Sequence, residues 1–177
     1  MNERLAVSIR WLLKRDLPEV LAIEASCFPI PWSTNDFVDC LSQRNIIGFV
    51  AECNQRVVGF MVLRTMSQTT AHIIKFAVAP DFRRHGVGSQ LHERIVAKLP
   101  VYRRHKIIVK VRESNLAAQL FCKAKGFQAI KVVSDHYDEI EEDAYLMRFQ
   151  LEDKFDWHAI ADGQADVFEV ANGVTAR

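Results

Sequence analysis

The chain has 177 residues, 49% of them hydrophobic, so it is long enough to bury the core of one compact domain. Its 23 lysine and arginine residues nearly balance its 22 aspartate and glutamate residues. This balance gives no support for bulk electrostatic binding to nucleic acid or to a membrane surface. Any electrostatic function must therefore be local.

The cysteines and the N-terminus indicate where the protein works. The four cysteines are widely spaced, with no C-x-x-C pair that would suggest a zinc site or a redox pair, so free thiols in a reducing compartment are expected. The start, MNERLAVSIRWLL, has too short an apolar run for a signal peptide, and no stretch approaches the roughly 18 apolar residues of a membrane span. We expect a cytoplasmic protein without a metal site. The sequence leaves open whether it forms a homodimer.

The first predicted elements are a half-buried strand and a helix. Val7, Ile9 and Trp11 alternate with polar residues, as in a strand with one buried face. Asp16 is expected to cap the following helix, with Glu19 completing a box-like arrangement in its first turn.

A second helix and a hairpin follow. Ser33 is the expected cap of the helix, with Asp36 three residues further on. Two β-rich runs, IIGFVAEC and RVVGFMVLRTM, flank Asn54 and Gln55, and a residue that tolerates a left-handed backbone between such runs predicts a hairpin.

The remaining pattern predicts a mixed sheet. AHIIKFAVAP is a third strand of the central group, and apolar residues recur at helical spacing from Gly86. Further elements are a strand at 106–111, a helix at 115–125 and strands near 128–133 and 144–151. Leu116, Leu120, Phe121 and Ala124 are expected to face inward from the last helix. The order is β-α-α-β-β-β-α-β-α-β-β, an α/β fold with helices on the faces of the sheet.

The C-terminal segment, residues 152–177, differs in character from the rest. It holds six acidic and two basic residues, so its net charge is −4 while that of the remainder is +5. One interpretation is a loosely docked extension. Another is that its DVFEVA stretch adds a strand to a sheet edge or to a partner.

The stretch RRHGVGSQL, residues 83–91, is the main candidate binding site. A helix start carries unpaired N–H groups and the positive end of the helix dipole, so it binds anions where the backbone can be approached. Gly86 and Gly88 leave that backbone bare, Arg83 and Arg84 add positive charge, and Ser89 adds a hydroxyl. This combination predicts a site for a phosphate-bearing ligand. Alternatively, the glycines only shape a tight loop with solvated arginines.

The same stretch carries a family resemblance. R-R-H-G-V-G-S after a strand matches [RQ]-x-x-G-x-[GA], the signature of the GNAT superfamily of acyl-CoA-dependent N-acyltransferases. FPIPWSTNDF, KFAVAPDFRRHGVG, VRESNLAAQLFCKAKGF and DHYDEIEEDAYLM resemble blocks of its ribosomal-protein alanine N-acetyltransferases, in order. The resemblance implies one GNAT-like domain over residues 1–151, with a mixed, splayed β-sheet and helices on both faces, followed by the acidic extension 152–177.

The resemblance also implies acetyl-CoA as co-substrate and assigns its site. Phe76, Ala77 and Val78 would pair their backbone with the pantetheine arm, and Asn115 would reach the same arm or serve only as a helix cap. The loop expected to hold the pyrophosphate comprises Arg83, Arg84, His85, Gly86, Val87, Gly88 and Ser89.

The catalytic residues depart from the family pattern. The family takes a base from a glutamate just before the V-R of its VRxSN block and an acid from a tyrosine in the next helix, but these positions are Lys110 and Cys122 here. Cys122 is either a proton donor or a small core-facing residue. His136 and Tyr137 are either alternative proton carriers or part of a surface loop.

Three residues are candidates for the acceptor side. Lys75 and Lys110 either make it electropositive, for an acceptor carrying a carboxylate or phosphate, or extend their amines into solvent. Trp32 either touches the acceptor or packs the helix beside it.

The expected activity is acetyl transfer to an amine by direct attack in a ternary complex. Without the usual base, a chain α-amine with a pKa of about 7.7 to 8.0 is a better acceptor than a lysine amine near about 10.4, because more of it is neutral. The acceptor is expected to be a protein N-terminus or a small amine. The alternative is a non-catalytic acyl-CoA sensor.

Overall fold

The computed structural model describes residues 4–67, 69–101, 103–137 and 142–151, without the side chains of residues 135–137. The elements are β1 (Ser8–Trp11), α1 (Leu17–Cys27), α2 (Thr34–Leu41), β2 (Ile46–Cys53), β3 (Arg56–Thr65), β4 (Thr70–Val78), α3 (Val87–Lys98), β5 (Lys106–Arg112), α4 (Leu116–Ala124), β6 (Gln128–Tyr137) and β7 (Glu142–Gln150). This order confirms the predicted one. The extension 152–177, with its DVFEVA stretch, lies outside the described residues.

The seven strands form one sheet in the order β1-β2-β3-β4-β5-β7-β6. β1, β2 and β3 pair antiparallel, as do β5, β7 and β6. The neighbours β4 and β5 are connected through α3, the kind of crossover that a parallel pair requires. The sheet is therefore mixed, as predicted.

The chain divides into two compact units. The first includes the described residues within Met1–Thr65 and Ile73–Arg94, and the second those within Met66–His72 and Ile95–Arg177. No helix of the described residues is long and apolar enough to span a membrane.

The first unit has helices on both faces of its strands. A core joins α1 and α2 to one face, with the buried residues Leu17, Val20, Ile23, Phe37, Cys40, Val50, Val57, Phe60, Val62 and Ala77. Gly59 precedes Phe60 and therefore faces the opposite side, where a Cβ on it would lie 3.4 Å from Leu91 of α3. The predicted placement of helices on both faces holds in this unit.

Local signals in the first unit were predicted correctly at two places. Ser33 caps α2, where its hydroxyl accepts a hydrogen bond from Asp36 N and the Asp36 carboxylate accepts one from Ser33 N at 2.7 Å. Asn54 and Gln55, both at positive φ, connect β2 to β3 in the predicted hairpin.

The predicted role of Asp16 is wrong. It stands before α1, but its side chain makes no capping hydrogen bond. Instead its carboxylate accepts hydrogen bonds from Leu13 N at 2.8 Å and from the Arg10 guanidinium at 2.7 and 2.9 Å. These bonds hold the pKa of the Asp16 carboxyl below its usual value, with the Arg10 side chain as the largest cause. The long-range ion pair outweighs the local cap.

The same ion pair changes the alternation in β1. Arg10 is partly buried between Asp16 and Glu52, whereas Trp11 is 49% exposed and stacks on Phe49. The buried face predicted from Val7, Ile9 and Trp11 is therefore wrong at Trp11. Glu19 likewise does not complete a box, since its carboxylate accepts a hydrogen bond from Val57 N.

In the second unit, α4 connects β5 to β6. Phe127, three residues after the end of α4, packs on Phe149 of β7 with ring centroids 5.6 Å apart. The inward face predicted for α4 is wrong at three of its four residues, because Leu116 and Leu120 are 62% and 57% exposed and Ala124 is also exposed, whereas Phe121 is half-buried. Cys122 is the buried residue of this helix.

Candidate active site

The loop before α3 has an unusual backbone. Arg84 and Gly86 both have positive φ, at 67° and 78°, on either side of His85. A non-glycine residue in the left-handed region is uncommon and costs free energy, and such strain collects at binding sites. Alternating left-handed residues turn successive amides towards one side, which forms a concave anion site.

The first turn of α3 presents unused amides. Helix α3 begins at Val87, so the N–H groups of Gly88 and Ser89 have no partner within the helix. Within the described residues they donate to no other carbonyl or side-chain oxygen. These donors at the positive end of the helix dipole are suited to bind a phosphate group.

The arginines of the loop have different roles. Arg83 donates from Nε to the carbonyl of Val78 at 3.1 Å and from Nη2 to the thiol of Cys27 at 3.1 Å, so it is committed to the end of β4. Arg84 is exposed and forms no ion pair in the part of the chain that the structure describes. Arg84 is therefore the loop arginine able to approach an anion.

The N-terminal segment packs behind the loop. Leu5 N donates to the carbonyl of His85 at 3.0 Å, and Gln90 Nε2 donates to the carbonyl of Leu5 at 2.6 Å. A Cβ on Gly86 would lie 3.0 Å from Arg4 Cγ, while Arg4 pairs with Glu93 at 2.6 Å. The positive φ of Gly86 disfavours any side chain there, and a Cβ would in addition require the Arg4 side chain to shift. No local pattern indicates this contact, because it joins residues over 80 positions apart.

On β4, Lys75 precedes the strand end formed by Phe76, Ala77 and Val78. Its ammonium lies 2.5 Å from the carboxylate of Glu24 and 4.7 Å from the ring centroid of Trp32. With only 10% of its side chain exposed, Lys75 does not extend into solvent, and Glu24 compensates its charge. An electropositive acceptor side therefore gains little from Lys75.

Glu24 is the residue that sequence reasoning missed. It is fully buried in α1. The signal was its spacing, because Leu17, Val20, Glu24 and Cys27 recur at intervals of three and four residues along one helical face. An acidic residue on the core face of a helix needs a buried partner.

The second unit contains three further candidates. Lys110 lies on β5 opposite Leu146 of β7 and forms no ion pair within the described residues. Asn115 caps α4, with its side-chain oxygen accepting from Ala118 N at 3.0 Å. The cap leaves the Asn115 amide N–H₂ available, so it does not conflict with a cofactor contact.

Cys122 has the properties of a core residue. It is 6% exposed, and burial raises the pKa of its thiol to about 11. Passing a proton from such a thiol to a departing thiolate with a pKa near about 8.5 would be uphill by roughly 3 kcal/mol. The geometry therefore favours the core-facing interpretation of Cys122.

Replacing Cys122 with alanine is expected to leave the rate of acetyl transfer unchanged and to alter the pH dependence of stability. The raised pKa means that the folded state favours the neutral thiol. The contribution of this thiol to the free energy of unfolding is therefore fully present below about pH 9 and is lost as the pH rises towards 11. Urea unfolding should show that the free energy of unfolding falls more between pH 7.5 and about pH 10.5 for the parent than for the variant. A drop in kcat of about a hundredfold, typical for a lost general acid, would instead identify Cys122 as catalytic.

The last two candidates lie at the end of β6. His136 and Tyr137 are its final residues, and Tyr137 is paired with Glu142 of β7. Their backbone therefore belongs to a strand rather than to a loop. Their side chains lie outside the described residues, so their role as proton carriers stays a prediction.

The structure thus groups the predicted site residues in two sets. Trp32, Lys75, the strand end 76–78 and the loop 83–89 belong to the first unit, while Lys110, Asn115, Cys122, His136 and Tyr137 belong to the second. A strand that delivers the chain into an amide-lined loop at a helix start is an anion-binding arrangement.

The chain is similar to proteins of known class. Residues 17–127 match the Acetyltransferase (GNAT) family. An N-alpha-acetyltransferase of Sulfurisphaera tokodaii is 30% identical over 148 residues, covering 77% of this chain and 88% of that protein. The [ribosomal protein bS18]-alanine N-acetyltransferase of Escherichia coli K12 is 28% identical over 146 residues, covering 81% and 97%. The crystal structure of the ribosomal-protein-S18-alanine N-acetyltransferase from Escherichia coli matches with a TM-score of 0.76 at 25% identity, covering 85% and 97%.

The chain therefore belongs to the GNAT family of acetyltransferases, because the family match spans well over half of its length. Its relatives are N-acetyltransferases, and the protein is an enzyme of this class. The alternative of a non-catalytic acyl-CoA sensor is not supported.

Proposed function

We propose that this acetyltransferase moves the acetyl group of acetyl-CoA to the N-terminal α-amine of a protein, by direct attack in a ternary complex. The observation that carries the proposal is the amide-lined loop of residues 84–89, set at the start of α3 directly after β4. Two similar proteins support the acceptor class, since one is named an N-alpha-acetyltransferase and the other acetylates an alanine nitrogen of a ribosomal protein by name.

The residues present fit the diphosphate of coenzyme A. Gly88 and Ser89 offer unused amides, Arg84 offers an uncompensated guanidinium, and the left-handed backbone at Gly86 keeps a side chain out of the turn. These groups would hold the pyrophosphate through charge-assisted hydrogen bonds. Phe76–Val78 would pair with the pantetheine arm, the role that the family resemblance also gives to Asn115. When bound, acetyl-CoA supplies an activated acyl thioester.

In the proposed reaction the acceptor nitrogen attacks the thioester carbonyl, a C–N bond forms and the C–S bond breaks. The amine loses one proton and the departing thiolate gains one. Positioning two reactants is worth about 7 to 11 kcal/mol, whereas a general acid or base contributes about 10²- to 10⁴-fold. The absence of the usual glutamate and tyrosine therefore slows the reaction without abolishing it. We assign the proton transfers to His136 and Tyr137.

An α-amine suits this site because little base is needed. At pH 7 roughly a tenth of a chain α-amine is neutral, compared with less than about a thousandth of a lysine amine.

We also propose that residues 1–151 make up the catalytic domain. We propose that the enzyme works in the cytoplasm, since its cysteines at 27, 40, 53 and 122 are free.

Two peptides of the same sequence test the acceptor class. One has a free N-terminus, and the other has a blocked N-terminus and a free lysine. We expect acetylation of the first only, followed by release of free thiol and by mass spectrometry. Acetylation of the lysine at an equal rate would contradict the proposal.

Coenzyme A binding is measured separately from turnover. A hundredfold excess of coenzyme A over its Kd should stabilise the fold by about 2.7 kcal/mol. If coenzyme A shifts the Tm but no N-terminal peptide is acetylated, the cofactor site is supported and the proposed acceptor is contradicted.

A further inference from the structure

Helix α1 buries a carboxylate beside β4. Glu24 is 0% exposed, and its Oε1 accepts hydrogen bonds from Lys75 Nζ at 2.5 Å and from Trp32 N at 3.0 Å. Its Oε2 is also buried and makes no hydrogen bond within the described residues. Burying two charges costs several kcal/mol per ion, and an apolar pair of similar volume is often as stable. Stability alone therefore does not explain the pair.

Lys75 connects this carboxylate to two aromatic rings. Its ammonium lies 4.2 Å from the ring centroid of Phe28 and 4.7 Å from that of Trp32, both within the range of a cation–π contact. Phe28 and Trp32 bound the segment that leads from α1 to α2. Lys75 thus touches both ends of that segment from its place on β4.

The segment between these rings has few other attachments. Pro29 and Pro31 lack an N–H group and cannot donate to the backbone. Among the described residues, the backbone N–H groups of residues 29–32 donate one hydrogen bond, from Trp32 N to the Glu24 carboxylate. Phe28 and Trp32 also pack on the core, where the Trp32 ring meets that of Phe37, so the Glu24–Lys75 pair adds the polar contacts that fix the backbone and the ring faces of the segment.

The proposed cofactor site places this segment beside the reacting atoms. With the pyrophosphate at residues 84–89 and the pantetheine arm running back along Val78, Ala77 and Phe76, the acyl end points towards Lys75. The C-terminus of α1 lies at the same strand, since the Cys27 thiol approaches the carbonyl of Val78 at 3.5 Å. Because Lys75 contacts both Phe28 and Trp32, the segment lies beside the place proposed for the acyl group.

We propose that Glu24 and Lys75 are positioning residues for the amine acceptor. The pair holds residues 28–32 against β4, so that Phe28 and Trp32 form a fixed wall of the acceptor path. The inference rests on the proposed function. It replaces the idea that Lys75 attracts an acidic acceptor, because Glu24 already compensates the lysine charge.

Three variants test the proposal. Glu24→Leu with Lys75→Met removes both charges and the acceptor for Trp32 N, while it keeps apolar volume. Glu24→Gln with Lys75→Met keeps a side-chain oxygen for Trp32 N. Asp16→Asn is the matched control, because it disrupts another buried ion pair of the first unit away from the segment.

We expect the apolar variant to raise the acceptor KM about tenfold, equivalent to about 1.4 kcal/mol, with an unchanged acetyl-CoA KM. The glutamine variant should recover part of the loss. Asp16→Asn should lower Tm but leave the acceptor KM unchanged. A parent-like acceptor KM in the apolar variant would overturn the proposal.

Hydrogen exchange gives a readout that needs no acceptor. Peptides covering residues 28–33 should exchange faster in the apolar variant than in the parent and in Asp16→Asn. Unchanged exchange would also overturn the proposal. If the apolar variant does not fold, Glu24→Gln alone is measured in the same two ways. Failure of the proposed function would appear differently, as a parent enzyme that acetylates no N-terminal peptide.

Discussion

Alanine at Gly86 is expected to weaken coenzyme A binding at least tenfold while the protein still folds. The left-handed φ of 78° disfavours any side chain, and a Cβ would press on Arg4 at 3.0 Å. Alanine there costs about 1–2 kcal/mol of conformational strain. Relief of this strain moves the amides that would bind the pyrophosphate, and each charge-assisted bond lost is worth about 1.5–3 kcal/mol. Isothermal titration with coenzyme A measures the loss.

Gly126→Ala is the matched control for this variant. Gly126 has a φ of 83°, so alanine carries the same backbone strain, but its Cβ would meet only Phe149 at an ordinary distance of 3.6 Å. It follows α4 in the second unit, outside the loop. Both variants should lose similar stability, whereas coenzyme A affinity should fall only for Gly86→Ala. If the two variants bind coenzyme A with equal affinity, the loop is not part of the binding site.

Phe37→Ala is expected to destabilise the first unit by about 3–5 kcal/mol, the cost of deleting a buried aromatic side chain. Phe37 is 0% exposed and contacts the rings of Trp32 and Phe60 edge-on at 5.2 and 5.8 Å. The loss corresponds to a fall in Tm of roughly 6–20 °C for a protein of this size. Calorimetry measures the change.

Val38→Ala controls for the helix that carries Phe37. Val38 is the next residue of α2 but is 42% exposed, so its truncation should change stability by no more than about 0.5 kcal/mol. Because alanine has a higher helix propensity than either residue, a similar loss for both variants would mean that the aromatic contacts of Phe37 are not what stabilises α2.

The parts of the fold that were predictable depend on short-range chemistry. Ser33 and Asp36 form their capping box within four residues, and the hairpin at Asn54 and Gln55 needs only a left-handed turn between two β-rich runs. The order of all eleven strands and α-helices follows from such signals. The loop at Gly86 was also evident, because glycines, arginines and a helix start are adjacent in sequence.

The errors arise where distant residues decide the outcome. Asp16 has the right spacing for a cap, but Arg10 and its ion pair compete successfully for the carboxylate. In α4, Leu116 and Leu120 have helical spacing, yet helical periodicity alone does not say which face the sheet covers. The helical spacing of Glu24 indicates a buried acid, but its partner Lys75 lies 51 residues later and has no local signal.

The packing of Arg4 and Leu5 behind the loop affects where an affinity tag can be attached. Because Leu5 is hydrogen-bonded to His85 and Gln90, the segment at Arg4 and Leu5 supports the loop proposed to bind the diphosphate. An affinity tag fused ahead of Arg4 would be close in sequence to these contacts and is expected to distort titrations of the thioester donor. Purification handles for kinetic work are better attached at the opposite terminus.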